Sequence, residues 1–364
     1  MPSPELIEIL QMGVVGEASD WHIIEGRNVS LRVGGTLAEV DFLVTRAFME
    51  ELMTDIMSKE KILEFRDNRD ADFSFEEPDV GRFRANMHQE RGRLALTLRH
   101  VKDQIPPREE LGLPAIIHDL THTARGIIFV TGITGSGKST TLACMVEHMN
   151  NTQQRHIITV EDPIEYSFDD NNCVIEQREI GIDTVSFPSA LRHVLRQDPD
   201  VIVIGEMRDR VTFETALSAA ETGHLVLTTL HTMDASQSII RILDMYAESE
   251  REVVRKSLAG HLKAIICQRL LPCKGSEKRV PACEVMINTP IISKLISENR
   301  TDKLSAAINA SADDGMLSFD RSIYNLIQAK QVSREDGLDY ATNPEALQMN
   351  LQGIFLNADK GSII

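Results

Sequence analysis

Residues 132–139, GITGSGKS, have the types and spacing of a phosphate-binding loop. The pattern is G-x-x-x-x-G-K-[ST], and it lies between an apolar run and a helical pattern that extends through Asn150. In such a loop, backbone N–H groups wrap the phosphates, Lys138 reaches the β and γ oxygens, and Ser139 holds Mg²⁺. The sequence therefore predicts a nucleotide site. Its contact residues would be Thr134, Gly135, Ser136, Gly137, Lys138, Ser139 and Thr140.

Carboxylates follow two other apolar runs. Residues 156–160 lead into a cluster at 161–165, and residues 201–204 lead into Glu206. In open α/β sheets, ligands bind beyond the carboxyl ends of the strands. Phosphoryl transfer requires neutralised charge and a positioned water, so Glu206 is predicted to orient and polarise that water. The alternative for Glu206 is a carboxylate that only stabilises the start of a helix.

The acidic cluster at 161–165 is predicted to share the metal with Glu206, through ordered waters. Its members are Glu161, Asp162 and Glu165. Because Pro163 interrupts them, the cluster also has the features of a turn. We expect two of the three carboxylates to contact the site.

Two histidines, His224 and His231, flank the apolar run 225–230. Seven residues of extended strand span roughly 23 Å, so the two cannot share a metal ion. An odd separation also places them on opposite faces. His231 is predicted near Glu206, where it can sense or polarise the γ-phosphate. For His224, a hydrogen-bonded turn histidine and a subunit contact both remain open.

The apolar runs indicate the fold that positions these residues. From Gly126 onward, GIIFVTG, HIITVED, VIVIGE and LVLTTLH alternate with helical segments. Continuous apolar runs are typical of parallel strands buried on both faces, so this part is predicted to be an α/β sheet covered by helices. Beyond Asp234 the pattern is mainly helical, with one further strand predicted at 283–287.

The first hundred residues show shorter, alternating strands and a helical stretch near 45–58. A Gly-Gly turn at 34–35 and a turn near 91–92 each predict a hairpin. Alternation in the second hairpin places four arginines along one face, namely Arg82, Arg84, Arg93 and Arg99. The charged, proline-rich residues 101–113 are predicted to be a linker.

Composition limits the class of protein. A chain of 364 residues favours two domains, and a net charge of -17 disfavours nucleic acid as a partner. Its five cysteines form no C-x-x-C pair, which indicates a reduced, intracellular protein. Because no run approaches about 18 uncharged residues, we expect no membrane insertion, and any membrane link would come through a partner.

Four motifs resemble, in order and spacing, those of the type II/IV secretion ATPase superfamily. TGSGKSTT, EDPIEY, LRQDPDVIVIGEMRD and SAAETGHLVLTTLHT resemble its Walker A, Asp box, Walker B and His box. The likeness is strongest to the type IV pilus retraction ATPases and covers nearly the whole chain. It implies a smaller α+β PAS-like domain at 1–100, the linker at 101–113, and a RecA-like ATPase domain with a helical C-terminal part at 114–364.

The resemblance also assigns roles to residues. Glu206 matches the Walker B glutamate, and His224 and His231 match the His box. Arg84 and Arg99 match arginines that contact the γ-phosphate, and a solvated strand face is the alternative. A further pair matches arginines that link neighbouring subunits, and a solvated helix face is the alternative for these; they are Arg192 and Arg196, on the helix before Asp198. The catalytic set expected from motif and resemblance together is Lys138, Glu165, Glu206, His231, Arg84 and Arg99.

The implied function is a cytoplasmic, hexameric motor driven by ATP and Mg²⁺ that powers pilus retraction and twitching motility. Its implied partners are an inner-membrane pilus platform protein and a second pilus ATPase, with the motor held peripherally at the inner membrane through the pilus machine. Two regions depart from the retraction motors. Ile133 replaces a proline in the loop. IISKLISE at 291–298 lacks both arginines of Ala-Ile-Arg-Asn-Leu-Ile-Arg-Glu, with Ser293 and Ser297 in their places.

Three alternatives remain open. An accessory motor subunit also departs from the motif at 291–298. An extension or secretion ATPase is usually longer and often carries a four-cysteine zinc insert, which this chain lacks. A recombination- or helicase-type RecA ATPase would be stimulated by DNA.

Overall fold

The computed structural model describes residues 3–101, 104–276 and 278–354. These residues form two compact units. The N-terminal unit runs up to Gln104 and also includes the segments Pro163–Ser167 and Gly181–Asp183, and the C-terminal unit holds the rest from Ile105 onward. Lys102 and Asp103 of the predicted linker, and the last ten residues of the predicted 114–364 domain, lie outside the described residues.

The N-terminal unit is a six-stranded antiparallel sheet in the order β3-β2-β1-β6-β5-β4, with three helices. Its Trp21 is fully buried and donates from Nε1 to the Ile9 carbonyl at 3.0 Å. A Cβ added at Gly13 would lie 2.3 Å from the Trp21 ring, so the first helix needs glycine there to pack on the sheet. The elements are α1 (Pro4–Val15), β1 (Ala18–Ile24), β2 (Asn28–Val33), β3 (Thr36–Leu43), α2 (Arg46–Ile56), α3 (Lys59–Asn68), β4 (Asp70–Glu77), β5 (Gly81–Glu90) and β6 (Arg93–His100).

Both predicted hairpins and the predicted helix near 45–58 are confirmed. Strands β2 and β3 pair across Gly34-Gly35, and β5 pairs with β6 so that Arg84 faces Arg99. Six apolar residues of β5 and β6 are buried on the opposite face; they are Phe83, Ala85, Met87, Leu94, Leu96 and Leu98. The alternation thus places Arg84 and Arg99 on the face that these side chains do not occupy.

The C-terminal unit is built on a seven-stranded sheet in the order β13-β12-β7-β11-β10-β8-β9. All neighbours are parallel except β13, which runs antiparallel to β12. Its strands are β7 (Gly126–Thr131), β8 (His156–Glu161), β9 (Val174–Glu179), β10 (Val201–Ile204), β11 (Leu225–Leu230), β12 (Leu262–Pro272) and β13 (Arg279–Ile287).

Helices cover both faces of this sheet. Along β7, Ile127 and Phe129 pack into one apolar cluster while Ile128 and Val130 pack into another, so the strand is buried on both sides. The predicted fold class is confirmed. The helices are α4 (Arg108–Leu111), α5 (Ile116–Thr121), α6 (Lys138–Thr152), α7 (Phe187–Val194), α8 (Arg210–Glu221), α9 (Ala235–Leu243), α10 (Glu248–His261), α11 (Pro290–Ser297), α12 (Leu304–Ala310), α13 (Phe319–Gln328), α14 (Arg334–Tyr340) and α15 (Pro344–Leu351), with short 3₁₀ helices at Thr301–Lys303 and Ala312–Asp314.

The region after Asp234 is mainly helical, as predicted, and the strand predicted at 283–287 forms the end of β13, but the prediction of a single strand is wrong. Strand β12 occupies Leu262–Pro272, and β13 begins at Arg279. The sequence of β12, LKAIICQRLLP, consists largely of good helix formers and follows helix α10 without a turn signal. Its burial between β7 and β13 overrides that local preference. Edge strand β9 was also not predicted, because VIEQRE has no apolar run.

No helix in the described part of the chain is both long enough and apolar enough to span a bilayer.

Candidate functional site

The phosphate-binding loop joins β7 to α6. Gly135 and Gly137 have φ angles of 77° and 89°, which glycine adopts without strain. Helix α6 begins at Lys138, whose Nζ donates to the carbonyls of Gly132 and Ile133 at 3.0 and 3.1 Å. The lysine ammonium is thereby held inside the loop.

The loop fits the phosphates of a nucleotide. Ser136 Oγ is buried and has no hydrogen-bond partner among the described residues, so its hydroxyl can donate to a phosphate oxygen. A Cβ at Gly132 would lie 2.4 Å from Ser136 Oγ, so only glycine allows this close approach. Ile133 is 62% exposed and contributes its carbonyl to Lys138, so the loop does not depend on a proline there.

Glu206 and His231 lie together at the carboxyl ends of neighbouring strands. Glu206 follows β10, His231 follows β11, and β11 is also the neighbour of β7, which leads into the phosphate-binding loop. His231 Nε2 lies 3.1 Å from Glu206 Oε1. Arg208 Nη2 lies 2.7 Å from the other carboxylate oxygen, Oε2. The structure therefore brings together Glu206, predicted to orient the water, and His231, predicted to sense the γ-phosphate, and it adds Arg208.

The environment keeps Glu206 ionised. Partial burial acts to raise the pKa of its carboxyl, but the hydrogen bond from Arg208 and the charges of His231, Arg208 and Lys138 outweigh burial and lower the pKa. Glu206 is therefore a carboxylate at neutral pH. An ionised carboxylate can accept a hydrogen bond from a water molecule and polarise it.

A cleft of about 620 Å³ opens beside this pair, between the loop after β10 and helix α9. Its lining includes Arg208, His231, Gln237 and Arg241, together with Glu206. Charged side chains from two elements therefore face one space. Sequence reasoning missed Arg208, although it stands only two residues after Glu206.

The acidic cluster after β8 is less closely tied to this pair. Glu161 Oε1 accepts from Thr159 Oγ1 at 2.7 Å and from Gln177 Nε2 at 3.2 Å. Asp162 and Glu165 are exposed, and Glu165 belongs to a segment of the N-terminal unit. Among the described residues, no three His, Cys, Asp or Glu side chains form a metal-binding group. The metal roles of Ser139, Glu161 and Glu206 stay predictions.

His224 and the two predicted interface arginines lie elsewhere in the C-terminal unit. His224 Nδ1 is 3.0 Å from the Ala219 carbonyl and 3.3 Å from Thr222 Oγ1, as in a hydrogen-bonded turn histidine. Arg192 and Arg196 are exposed, and Arg192 Nε donates to the Pro188 carbonyl. The prediction that both arginines lie on the helix is wrong for Arg196, because α7 ends at Val194.

In the N-terminal unit, Arg99 has a partner that sequence reasoning missed. Its Nε donates to Asp20 Oδ1 at 2.8 Å, and its Nη2 lies 2.7 Å from the same oxygen. Burial acts to raise the pKa of Asp20, but hydrogen bonds from Ser19 and Arg99 lower it. Asp20 thus stays ionised and fixes the Arg99 side chain. For Arg84, the residues described here provide no ion pair.

Taken together, the parallel sheet, the phosphate-binding loop and the Glu206–His231 pair define a P-loop ATPase. A family model described as "Type II/IV secretion system protein" matches residues 4–335. The chain therefore belongs to the type II/IV secretion system protein family, as the motifs predicted.

Individual relatives are similar over nearly their whole length. The chain is 38% identical to "Type IV pilus retractation ATPase PilT" of Pseudomonas aeruginosa, over 94% of this chain and 99% of the relative. It is 36% identical to "Type IV pilus ATPase PilU" of the same organism, over 96% and 91%. A crystal structure of the pilus retraction motor PilT with bound ADP superposes with a TM-score of 0.87 at 41% identity, over 94% of this chain and 98% of that one.

Proposed function

We propose that this ATPase is a Mg²⁺-dependent hexameric motor that retracts type IV pili and so drives twitching motility. One observation carries the proposal: Lys138, Glu206 and His231 follow three neighbouring strands in a chain that spans 99% of a PilT relative. In the same proposal it acts in the cytoplasm, bound peripherally at the inner membrane through a pilus platform protein.

The chemistry follows from the side chains. Lys138 and the loop N–H groups neutralise the phosphates of ATP, and Ser139 Oγ is a ligand for the Mg²⁺ that the nucleotide brings. Glu206 accepts a proton or hydrogen bond from the attacking water. His231 shares the carboxylate of Glu206 at 3.1 Å, so it can couple the state of the γ-phosphate to that water.

Deleting the gene tests the direction of the motor. Retraction predicts more surface pili and less twitching, whereas an extension ATPase predicts loss of pili. A strain carrying Lys138→Ala at the native locus should match the deletion, and one carrying Lys303→Ala, a change of an exposed lysine, should match the wild type. Loss of surface pili in the deletion strain would contradict retraction.

Oligomeric state is tested separately, by light scattering of the purified protein with ATP and Mg²⁺. We expect a hexamer. If Arg192 and Arg196 join neighbouring subunits, their replacement by alanine lowers the assembled fraction. Assembly unchanged in the double variant would remove both from the interface.

Arg84 and Arg99 remain proposed γ-phosphate contacts, and Glu165 remains a proposed catalytic residue. We expect Arg84→Ala and Arg99→Ala each to lower kcat by roughly tenfold or more, as when one stabilising donor is lost. Arg93→Ala, on an exposed end of the same hairpin, is the matched control. If Asp20 holds Arg99 in place, Asp20→Asn should lower kcat in the same direction but by less.

An accessory motor is the second candidate, and a specific contact favours it. Ser293 Oγ, where retraction motors carry arginine, donates inward to the Ala259 carbonyl at 2.9 Å and so packs α11 on α10. The PilU relative is nearly as similar as the PilT relative. Expression of this chain as the only retraction ATPase in a cell decides between them: twitching supports a motor, and twitching only beside a second pilus ATPase supports an accessory subunit.

A further inference from the structure

A buried carboxylate, Glu284, lies outside the nucleotide chemistry described above. It is on β13 and is 7% exposed. Its Oε1 accepts from the backbone N–H of Ala235 at 2.9 Å. Ala235 is the first residue of α9, so the carboxylate occupies the amino end of that helix, where negative charge is stabilised.

Helix α9 follows closely after His231. Three hydrogen bonds hold this part of the chain. Before His231, Thr229 Oγ1 donates to the Gly205 carbonyl at 2.7 Å. After His231, Thr232 Oγ1 lies 2.6 Å from Ser238 Oγ, and the Ala235 N–H donates to Glu284. His231 lies between these anchors, and its side chain is 44% exposed. Ala235 is four residues after His231, so a shift at the start of α9 can be transmitted along this short connection to the imidazole.

We propose that Glu284 is a positioning residue for His231: its carboxylate fixes the start of α9 and thereby holds the imidazole against Glu206. This inference rests on the catalytic role of His231 in the proposed function. The Glu284 carboxylate bonds to the start of α9, so it acts through the connection between β11 and α9.

The charges that face Glu284 make this contact sensitive to pH. Burial and the nearby Asp234 raise the pKa of the Glu284 carboxyl, the Ala235 N–H, Arg269 and Cys267 lower it, and the resulting pKa is about 7. Near neutral pH the carboxylate therefore gains or loses its proton. Because hydrogen bonds to charged acceptors are stronger than those to neutral ones, the ionised form holds Ala235 more firmly. We expect kcat to rise as pH rises through about 7.

Stability should change in the opposite direction. The folded protein holds the Glu284 proton up to about pH 7, whereas the unfolded chain releases it near 4.5. Between these values the folded state binds more protons, so this group's contribution to stability is lost as pH rises. A rise in kcat that accompanies a loss of stability would be difficult to explain by better folding.

The test compares Glu284→Gln and Glu284→Ala with Glu252→Gln, a change of an exposed glutamate on α10. Glutamine can still accept from Ala235 but cannot ionise. We expect the wild type to gain about fivefold in kcat between pH 6 and 8, the ratio between a charge-assisted and a neutral hydrogen bond. Glu284→Gln should lose this pH-dependent rise in kcat while its KM for ATP stays unchanged. Glu252→Gln should keep the rise.

Two outcomes would overturn the inference. One is that kcat of Glu284→Gln depends on pH between 6 and 8 in the same way as kcat of the wild type. The other is a folded Glu284→Ala protein with the wild-type kcat. His231→Ala is measured alongside. If this variant keeps full kcat, the role of His231 in the proposed function fails. If its kcat falls while the dependence of kcat on pH in Glu284→Gln matches the wild type, only the role of Glu284 is rejected. If Glu284→Ala does not fold, the dependence of kcat on pH in Glu284→Gln decides.

Discussion

The two edges of the C-terminal sheet use similar side chains in different ways. At the carboxyl edge, Glu206 bonds to other side chains, His231 and Arg208, beside a cleft. At the amino edge, His224 Nδ1 faces the Ala219 carbonyl and Asp200 Oδ2 accepts from the His156 backbone N–H at 2.8 Å. Glu206 and His231 thus line a cleft, whereas His224 and Asp200 bond to backbone groups.

Strand β11 contains this contrast within itself, because His224 and His231 stand at its two ends. His224 Nδ1 bonds to the Ala219 carbonyl and to Thr222 Oγ1 within its turn, so its loss should cost local stability. His231 instead shares a carboxylate, so its loss should cost reaction rate. Changes at the carboxyl edge should therefore affect kcat, and changes at the amino edge should affect stability.

The largest effect is expected from Lys138→Ala. Removing the ammonium leaves the phosphate charge without its main counterion, so we expect phosphate release to fall by roughly 10²–10³-fold. Because Lys138 also bonds to two loop carbonyls, circular dichroism must show that the fold is kept. The exposed Lys303→Ala is the control. Residual activity above a tenth of wild type would mean that the loop does not hold the reacting phosphates.

Glu206→Gln should come next, with a fall in kcat of about 10²-fold. The amide keeps the size of the side chain and can still accept from Arg208, but it cannot take a proton from water. Nucleotide binding, measured with a fluorescent ATP analogue, should stay within about threefold of wild type. If nucleotide affinity and kcat fall by the same factor, Glu206 acts in nucleotide binding rather than in the chemical step.

The histidines allow a matched comparison, His231→Ala against His224→Ala. We expect His231→Ala to lower kcat by about tenfold and His224→Ala to change kcat by less than about twofold. The melting temperature should fall for His224→Ala because the turn after α8 loses its bond. A drop in kcat for His224→Ala that varies with protein concentration would show instead that His224 acts in assembly.

How far the sequence predicts the site depends on whether its contacts are local. The residues of the phosphate-binding loop are contiguous, and Glu206 and His231 end apolar runs, so strand polarity alone places them at one edge. Asp20 and Glu284 were missed because each pairs with a residue far along the chain, at Arg99 and Ala235. Nothing in the local sequence indicates such a partner.

The fold shows the same limit. Strands β7, β8, β10 and β11 are apolar runs bounded by turns and were predicted, whereas β12 was taken for helix because its residues favour helix locally. Only its position between two other strands makes it extended, and that information lies in the tertiary structure. Ser293 gives the same lesson, since its bond to Ala259 depends on how α11 packs on α10.

The smallest predicted effect belongs to a stacked histidine pair on the far half of α6, which runs away from the phosphate-binding loop. His118 of α5 and His148 of α6 have ring centroids 3.7 Å apart, and His122 packs edge-on against His148. Burial lowers the pKa of His118, with Arg108 and His122 adding to the effect and Glu109 and Asp119 opposing it. Burial, then His118 and His122, lower the pKa of His148.

This pair predicts a pH dependence of stability but not of catalysis. The pKa values are below the usual 6.5, so the unfolded chain binds more protons just below that pH, and stability falls as the pH falls through 6.5. His148→Gln should reduce the loss of melting temperature between pH 7 and 5.5 by about 2 °C or less, with kcat at pH 8 unchanged. His193→Gln, an exposed histidine on α7, is the control and should melt like the wild type at each pH. If His148→Gln instead lowered kcat at pH 8, this end of α6 would influence the reaction. The assignment of reaction rate to the carboxyl edge and of stability to the amino edge would then be wrong.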